Sequence, residues 1–194
     1  MRSAQVQQLR KKREISISKR NQLKEDMIIM SKIETHTISV LVDNKFGVLA
    51  RVAGLFSGRG YNITSLTVNE TQDPNRSQMT IVTKGDDTII EQIDSQLNKL
   101  VDVIKVEDLT NHNFIEREFA LIKIHVLDAN KKSQIIQLVE IFEGKIVTVH
   151  KNELGIELSG RAEKIDNFVA LLADFGTIKV ARSGRVALSR DEEF

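Results

Sequence analysis

Cysteine is missing from this chain of 194 residues. That excludes disulfides, a thiolate nucleophile and cysteine-ligated metal, and it fits a reducing compartment. Tryptophan is also absent, tyrosine occurs once, and proline occurs once, at Pro74. No apolar run reaches the ~18 residues that a membrane span requires, and the N-terminal stretch lacks the continuous apolar core of a secretion signal. Neither sign of charge dominates: 28 % of residues are charged and the formal net charge is +1, so the average surface offers no strong field for nucleic acid or membrane.

Catalytic signatures are equally scarce. There is no Gly-x-x-x-x-Gly-Lys-Ser/Thr phosphate loop, and Gly58-Arg59-Gly60 lacks the third glycine and the parallel-strand context of a dinucleotide site. It reads as a helix stop and turn. His36, His112, His125 and His150 are too far apart to form a short metal-ligand motif. No serine stands in a Gly-x-Ser-x-Gly elbow, and no pair of carboxylates stands out as an acid and base. The reading is that the chain carries no catalytic residue, metal site or cofactor of its own.

The near-zero net charge conceals a split. Residues 1–32 hold nine Lys/Arg against Glu14, Glu25 and Asp26, a charge of +6, which leaves −5 on the rest. Residues 1–33 are read as a basic extension, an upstream start before Met27 or Met30, or an organelle transit peptide, against which the three acidic residues count. The run Arg10-Lys11-Lys12-Arg13 is read as a solvated charge run before an anionic contact.

The most informative stretch is ISVLVDNKFGVLARVAGLFSGRGYN, Ile38 to Asn62. Ile38, Val40 and Val42 alternate with Ser39 and Leu41, which predicts a buried strand. From Val48 the period changes: Val48, Leu49, Val52, Leu55 and Phe56 form one apolar stripe of a helix, which Gly58 and Gly60 stop. The turn between them, Asp43-Asn44-Lys45-Phe46-Gly47, suits helix capping by Asn or Asp. Such a helix start offers unpaired N–H groups and the positive end of a dipole, a seat for a carboxylate, and Gly47 leaves the approach open. In the plainer alternative, Gly47 only relieves a tight turn and Asn44 only caps the helix.

Beyond Gly60, strands are expected at 62–70, 77–83 and 101–106, with Asp86 and Asp87 capping a helix through Ile89, Ile90, Ile93, Leu97 and Leu100. The order strand, helix, strand, strand, helix, strand is the split ferredoxin-like arrangement. It recurs: a strand at 119–127, a helix at 134–142 capped near Asp128, a hairpin of 145–149 with 155–158, a helix at 164–173 and a strand at 177–181. The fold class is therefore α+β, two ferredoxin-like βαββαβ domains in tandem, placed at 34–110 and 117–194 with a linker at 111–116. The middle strands ISVLV and SQMTIVT carry no aromatic residue, which argues against base stacking.

The segment 36–109, with Asn44-Lys45-Phe46-Gly47-Val48-Leu49, Arg59-Gly60-Tyr61-Asn62-Ile63 and Ser65-Leu66-Thr67-Val68, resembles an ACT domain. It is most similar to that of the small regulatory subunit of acetohydroxyacid synthase, also called acetolactate synthase. Glu116-Arg117-Glu118, Ala181-Arg182-Ser183-Gly184 and Leu188-Ser189-Arg190 extend the resemblance to about residue 190.

The resemblance implies a non-catalytic homodimeric subunit of branched-chain amino-acid biosynthesis (valine, leucine, isoleucine). It would bind and activate the catalytic large subunit and confer feedback inhibition by valine. Thiamine diphosphate, magnesium and FAD are expected in that large subunit and not in this chain. The effector would lie between two ACT domains, with Asn44, Gly47, Val48 and Leu49 from one chain and Asn62 and Ile63 from the other. Tyr61 and Phe46 are expected to pack. The implied location is the cytoplasm, or a plastid stroma. Two other readings are a free-standing ACT-domain sensor controlling another enzyme or a transcription factor, and an enzyme in its own right.

Overall fold

The computed structural model describes residues 34–191, so the basic extension expected at 1–33 lies outside the described residues. The first unit runs β1 (Glu34–Asp43), α1 (Val48–Gly58), β2 (Ile63–Glu70), β3 (Arg76–Gly85), α2 (Asp87–Leu97) and β4 (Val103–Asp108). The second runs β5 (Phe114–His125), α3 (Ala129–Ile141), β6 (Lys145–His150), β7 (Glu153–Gly160), α4 (Ala162–Ala173) and β8 (Thr177–Ser189). Each forms a four-stranded sheet, β2-β3-β1-β4 and β6-β7-β5-β8, antiparallel throughout. The tandem ferredoxin-like fold is thus as the repeat predicts.

Alternation decides which face of each sheet is dry. Ile38, Val40 and Val42 of β1 are buried together with Val48, Val52 and Phe56 of α1 and Ile90, Ile93 and Leu97 of α2. In the second unit Ala120, Ile122 and Ile124 of β5 meet Ile135 and Val139 of α3 and Ile165, Phe168 and Leu172 of α4. Full burial of each large aliphatic or Phe side chain is worth about 1.5–3 kcal/mol.

Two of the helix starts are capped as the sequence predicts. Asp86 accepts a hydrogen bond from the Ile89 amide at 2.9 Å, and Asp128 accepts from Asn130 and Lys131 at 2.7 and 3.0 Å. The Lys131 amide, then that of Asn130, hold the Asp128 carboxyl below its ordinary range. This cap is therefore present at neutral pH and lost only as pH falls through that lowered value.

Several boundaries differ from expectation, α3 among them, which starts at Ala129 and not at 134. Residues 100–103 form a turn, so β4 starts at Val103, and Val101 stands in solvent. β5 starts at Phe114, five residues early and inside the segment read as a linker, because Phe114 to Glu118 pair with the extended end of β8. β8 does not stop near Ala181 but continues to Ser189. Arg182-Ser183-Gly184-Arg185 reads as a polar turn, yet only Ser183 and Gly184 leave the ladder, and pairing resumes from Arg185 opposite Glu118.

That continuation crosses the helix-free face of the first sheet. The Arg185 amide donates to Ser65 Oγ at 3.1 Å, the Ala187 amide to Thr80 Oγ1 at 3.3 Å, and Thr67 Oγ1 donates to the Ser183 carbonyl at 3.3 Å. The hydroxyls of the first sheet satisfy backbone groups of the second unit.

Phe168 is fully buried and its ring lies 5.1 Å from that of Phe142. Phe168→Ala should cost about 3–5 kcal/mol, measured as a lowered urea midpoint; an unchanged midpoint would contradict this core assignment.

Candidate functional site

The turn between β1 and α1 is held on both sides by backbone hydrogen bonds. The Asp43 amide donates to the Asp102 carbonyl at 2.8 Å and the Asn44 amide to the Asn75 carbonyl at 2.7 Å. The Asn44 side chain was expected to cap α1 but does something else. Its Nδ2 donates to Glu70 Oε1 at 3.0 Å and to the Pro74 carbonyl at 2.9 Å, tying the turn to the β2–β3 hairpin. The residue at the cap position is Gly47, at φ 83°, with no side-chain hydrogen bond.

This leaves α1 unusual. Among the described residues it is the one helix with neither a side-chain cap nor an acidic residue in its first turn; α2 and α3 are capped by Asp86 and Asp128, and α4 has Glu163. Its first-turn N–H groups and positive dipole end are unmatched by any carboxylate of the helix itself. A helix start of this kind can take an external carboxylate.

The flanking charges are already paired. Arg51 Nη2 lies 2.6 Å from Asp102 Oδ2, and Lys45 Nζ 2.6 Å from Asp43 Oδ2. The hydrogen bond and charge of Asp43 raise the Lys45 pKa. A Cβ on Gly47 would lie 3.2 Å from Arg51 Nη1, so a side chain there presses on the Arg51–Asp102 pair. Sequence reasoning missed Arg51, Asp102 and Glu70. Arg51 carried a local signal, since it lies one helical turn beyond Gly47; Asp102 arrives from the turn before β4 and Glu70 from the end of β2, both distant in sequence.

The apolar residues divide. Leu49 is 46 % exposed, Phe46 fully exposed and Val101 98 % exposed. Val48 is only 3 % exposed and belongs to the core beneath α1, so its side chain does not face a ligand, and its backbone N–H donates to the Lys45 carbonyl at 3.4 Å. The expectation that Phe46 packs fails within a single chain, because the turn projects the ring away from the core.

Asn62 and Ile63 lie elsewhere. Asn62 is exposed, its carbonyl accepting from Thr83 Oγ1 at 2.7 Å, and Ile63 packs at the edge of the first core. Tyr61 packs as expected, edge-on to Phe56 with its hydroxyl 2.8 Å from Gln92 Oε1. Helix α1, 11 residues and so about 16 Å long, separates the two groups. Along the sheet the gap is larger. Ile63 pairs with Thr83 and Thr83 with His36, eight positions from Asn44 or about 26 Å. One chain therefore presents two separate groups of candidate residues.

His36 is a buried strand residue, its Nδ1 3.1 Å from Asp108 Oδ2. Among the described residues no cluster of three or more His, Asp or Glu has the arrangement of a metal site, and no helix is long and apolar enough to cross a membrane.

The left-handed backbone of Gly47 gives a direct test. Gly47→Ala should destabilise the chain by about 1–2 kcal/mol, read as a shift in denaturant midpoint; no shift would mean that the turn relaxes freely.

The chain matches two family models in succession, one described as an AHAS small subunit-like ACT domain over residues 38–105 and one as the small subunit of acetolactate synthase over residues 117–191. It is 49 % identical over 157 residues to a probable acetolactate synthase small subunit of Methanothermobacter thermautotrophicus, covering 81 % of this chain and 94 % of the relative. It is 46 % identical to the acetolactate synthase isozyme 3 small subunit of Salmonella typhimurium, covering 80 % and 96 %. The crystal structure of the Thermotoga maritima acetolactate synthase small subunit superposes with a TM-score of 0.74 at 44 % identity, over 83 % of this chain and all of that one. Fold, repeat and turn agree with these likenesses, and the chain belongs to the acetolactate synthase small-subunit family, with an ACT domain as its first unit.

Proposed function

We propose that this regulatory subunit binds L-valine between the ACT domains of two identical chains, activates a catalytic large subunit and makes that subunit sensitive to valine. The observation that carries the reading is the separation of the candidate residues into two groups about 26 Å apart along one sheet. A residue set divided in this way serves one small ligand only if a second copy brings the halves together.

The sheet edge offers a route. β2 is an edge strand, and two copies joined antiparallel along β2 set the start of one strand against the end of the other. The start carries Asn62 and Ile63. The end carries Glu70, which accepts the hydrogen bond from Asn44, so Asn62 and Ile63 of one copy approach the Asn44–Leu49 turn of its partner. Phe46, Leu49 and Val101, exposed in one copy, supply apolar surface for that junction.

An amino acid suits the chemistry of the combined site. Its carboxylate meets N–H groups at the start of α1, those of Gly47 and Leu49 and, on displacing its 3.4 Å bond to the Lys45 carbonyl, that of Val48; its ammonium meets the Asn62 carboxamide, and its branched tail meets Leu49 and Ile63. Asn44 fixes the turn through its bonds to Glu70 and Pro74. Valine in this position favours one dimer arrangement over another. Regulation requires that the catalytic subunit prefer the other by about 1–3 kcal/mol. Thiamine diphosphate, magnesium and FAD belong to that catalytic subunit. The relatives named above come from an archaeon and bacteria, which have no plastids, and this favours the cytoplasm as the site of action.

Gly47→Asp should abolish valine inhibition, because its carboxylate occupies the seat of the valine carboxylate beside Arg51, while activation of the catalytic subunit survives. Inhibition that persists in an acetolactate assay would refute the site. Asn62→Ala should weaken valine binding by about 1–2 kcal/mol, and an unchanged calorimetric affinity would remove Asn62 from it.

A further inference from the structure

Two strand irregularities meet where the units touch. In β2 the register to β3 shifts between Ile63 and Ser65, placing an extra residue, Thr64, in the ladder. In β8, Ser183 and Gly184 stand out of the β5 ladder opposite Phe119, and Ser183 Oγ accepts the Phe119 amide left unpaired there at 3.0 Å. Bulges bend a strand and re-aim its side chains. Here the β8 bulge is pressed onto the residues that follow the β2 bulge.

The fit is close. Gly184 adopts φ 81°, and a Cβ on it would lie 2.6 Å from Ser65 Oγ and 2.9 Å from Thr67 Oγ1. Only a glycine permits this backbone to sit on the two hydroxyls. Ser65 and Thr67 then take the Arg185 amide and the Ser183 carbonyl. On the far side the bulge is braced by Arg182, which bonds Glu118 through two nitrogens at 2.8 and 2.6 Å and also Asp166 of α4. A displacement of Ser65 therefore has somewhere to go: into β8, β5 and the start of α4.

We propose that β2 carries the state of the effector site to the second domain, with Asn62 and Ile63 at its start sensing the ligand and Ser65 and Thr67, two positions past Ile63 and beyond, moving the Ser183–Gly184 bulge of β8. The inference rests on the effector reading of Asn62 and Ile63. β2 suits the task because its free edge carries the dimer junction while its helix-free face carries the seam, and because its bulge lies between the sensing residues and the seam. The seam contains hydroxyl-to-backbone bonds whose partners depend on register, so a shift of β2 breaks or exchanges them where an apolar contact would slide.

The test is hydrogen–deuterium exchange on the full chain, with L-valine binding measured in parallel by calorimetry. Saturating valine should change exchange of the 183–187 segment by about threefold or more and leave β6 unchanged. Ser65→Ala, and independently Gly184→Ala, should remove that change while valine affinity stays within about twofold. Valine binding without altered exchange at 183–187, or a change that survives in Ser65→Ala, overturns the inference alone. Absence of valine binding overturns the effector reading and the inference with it.

Discussion

A four-stranded sheet with both helices on one side has a second face to cover, and the architecture of this protein follows from how each unit answers that constraint. In the first unit the helix-free face carries Ser65, Thr67 and Thr80, hydroxyls that need partners once they leave water. The second unit supplies them by sending the end of β8 across, with Arg185 and Ala187 donating to Ser65 and Thr80. A linker alone would leave two independent domains. The polar crossing ties the units through three hydroxyl-to-backbone hydrogen bonds, and it places the second unit against the same strand, β2, that begins with the candidate effector residues.

The other end of the argument is the start of α1. A helix usually supplies its own anion or cap, as α2 and α3 do here through Asp86 and Asp128. In α1 the cap residue is Gly47, and the asparagine that would ordinarily serve is turned outward to bind the hairpin between β2 and β3. The same substitution of roles both opens the helix end and couples the turn to the tip of β2. The resemblance of the second unit to the first stops at this point, since Asp128 closes the equivalent position in α3.

Much of this was legible in the residues. The alternation of Ile38, Val40 and Val42 and the helical stripe of Val52 and Phe56 fix their own burial, so the repeat and the fold could be read directly. What could not be read depends on neighbours distant in sequence. Nothing local to Arg182-Ser183-Gly184-Arg185 says strand; β8 continues through it, with a bulge at Ser183 and Gly184, because β5 and the first sheet hold it on two sides. Asn44 looks like a cap until Glu70 and Pro74 are beside it. Val48 looks like a ligand contact until the helix places it inward, while Leu49, one residue on, faces out. Nearest-neighbour pattern gives the face of an element, and tertiary hydrogen bonds decide what a polar residue on it does.

The central claim, that two chains complete each effector site, is tested most directly by mixing two defective variants. With isologous two-fold pairing, a dimer of one Gly47→Asp chain and one Asn62→Ala chain contains one site with both defects and one with neither. Neither variant alone should bind valine at wild-type affinity. Co-refolded in equal amounts they should regain wild-type affinity at about one quarter of the sites, the share expected from random pairing. If calorimetry shows no such recovered fraction although mixed dimers form, the site lies within a single chain and the account is wrong.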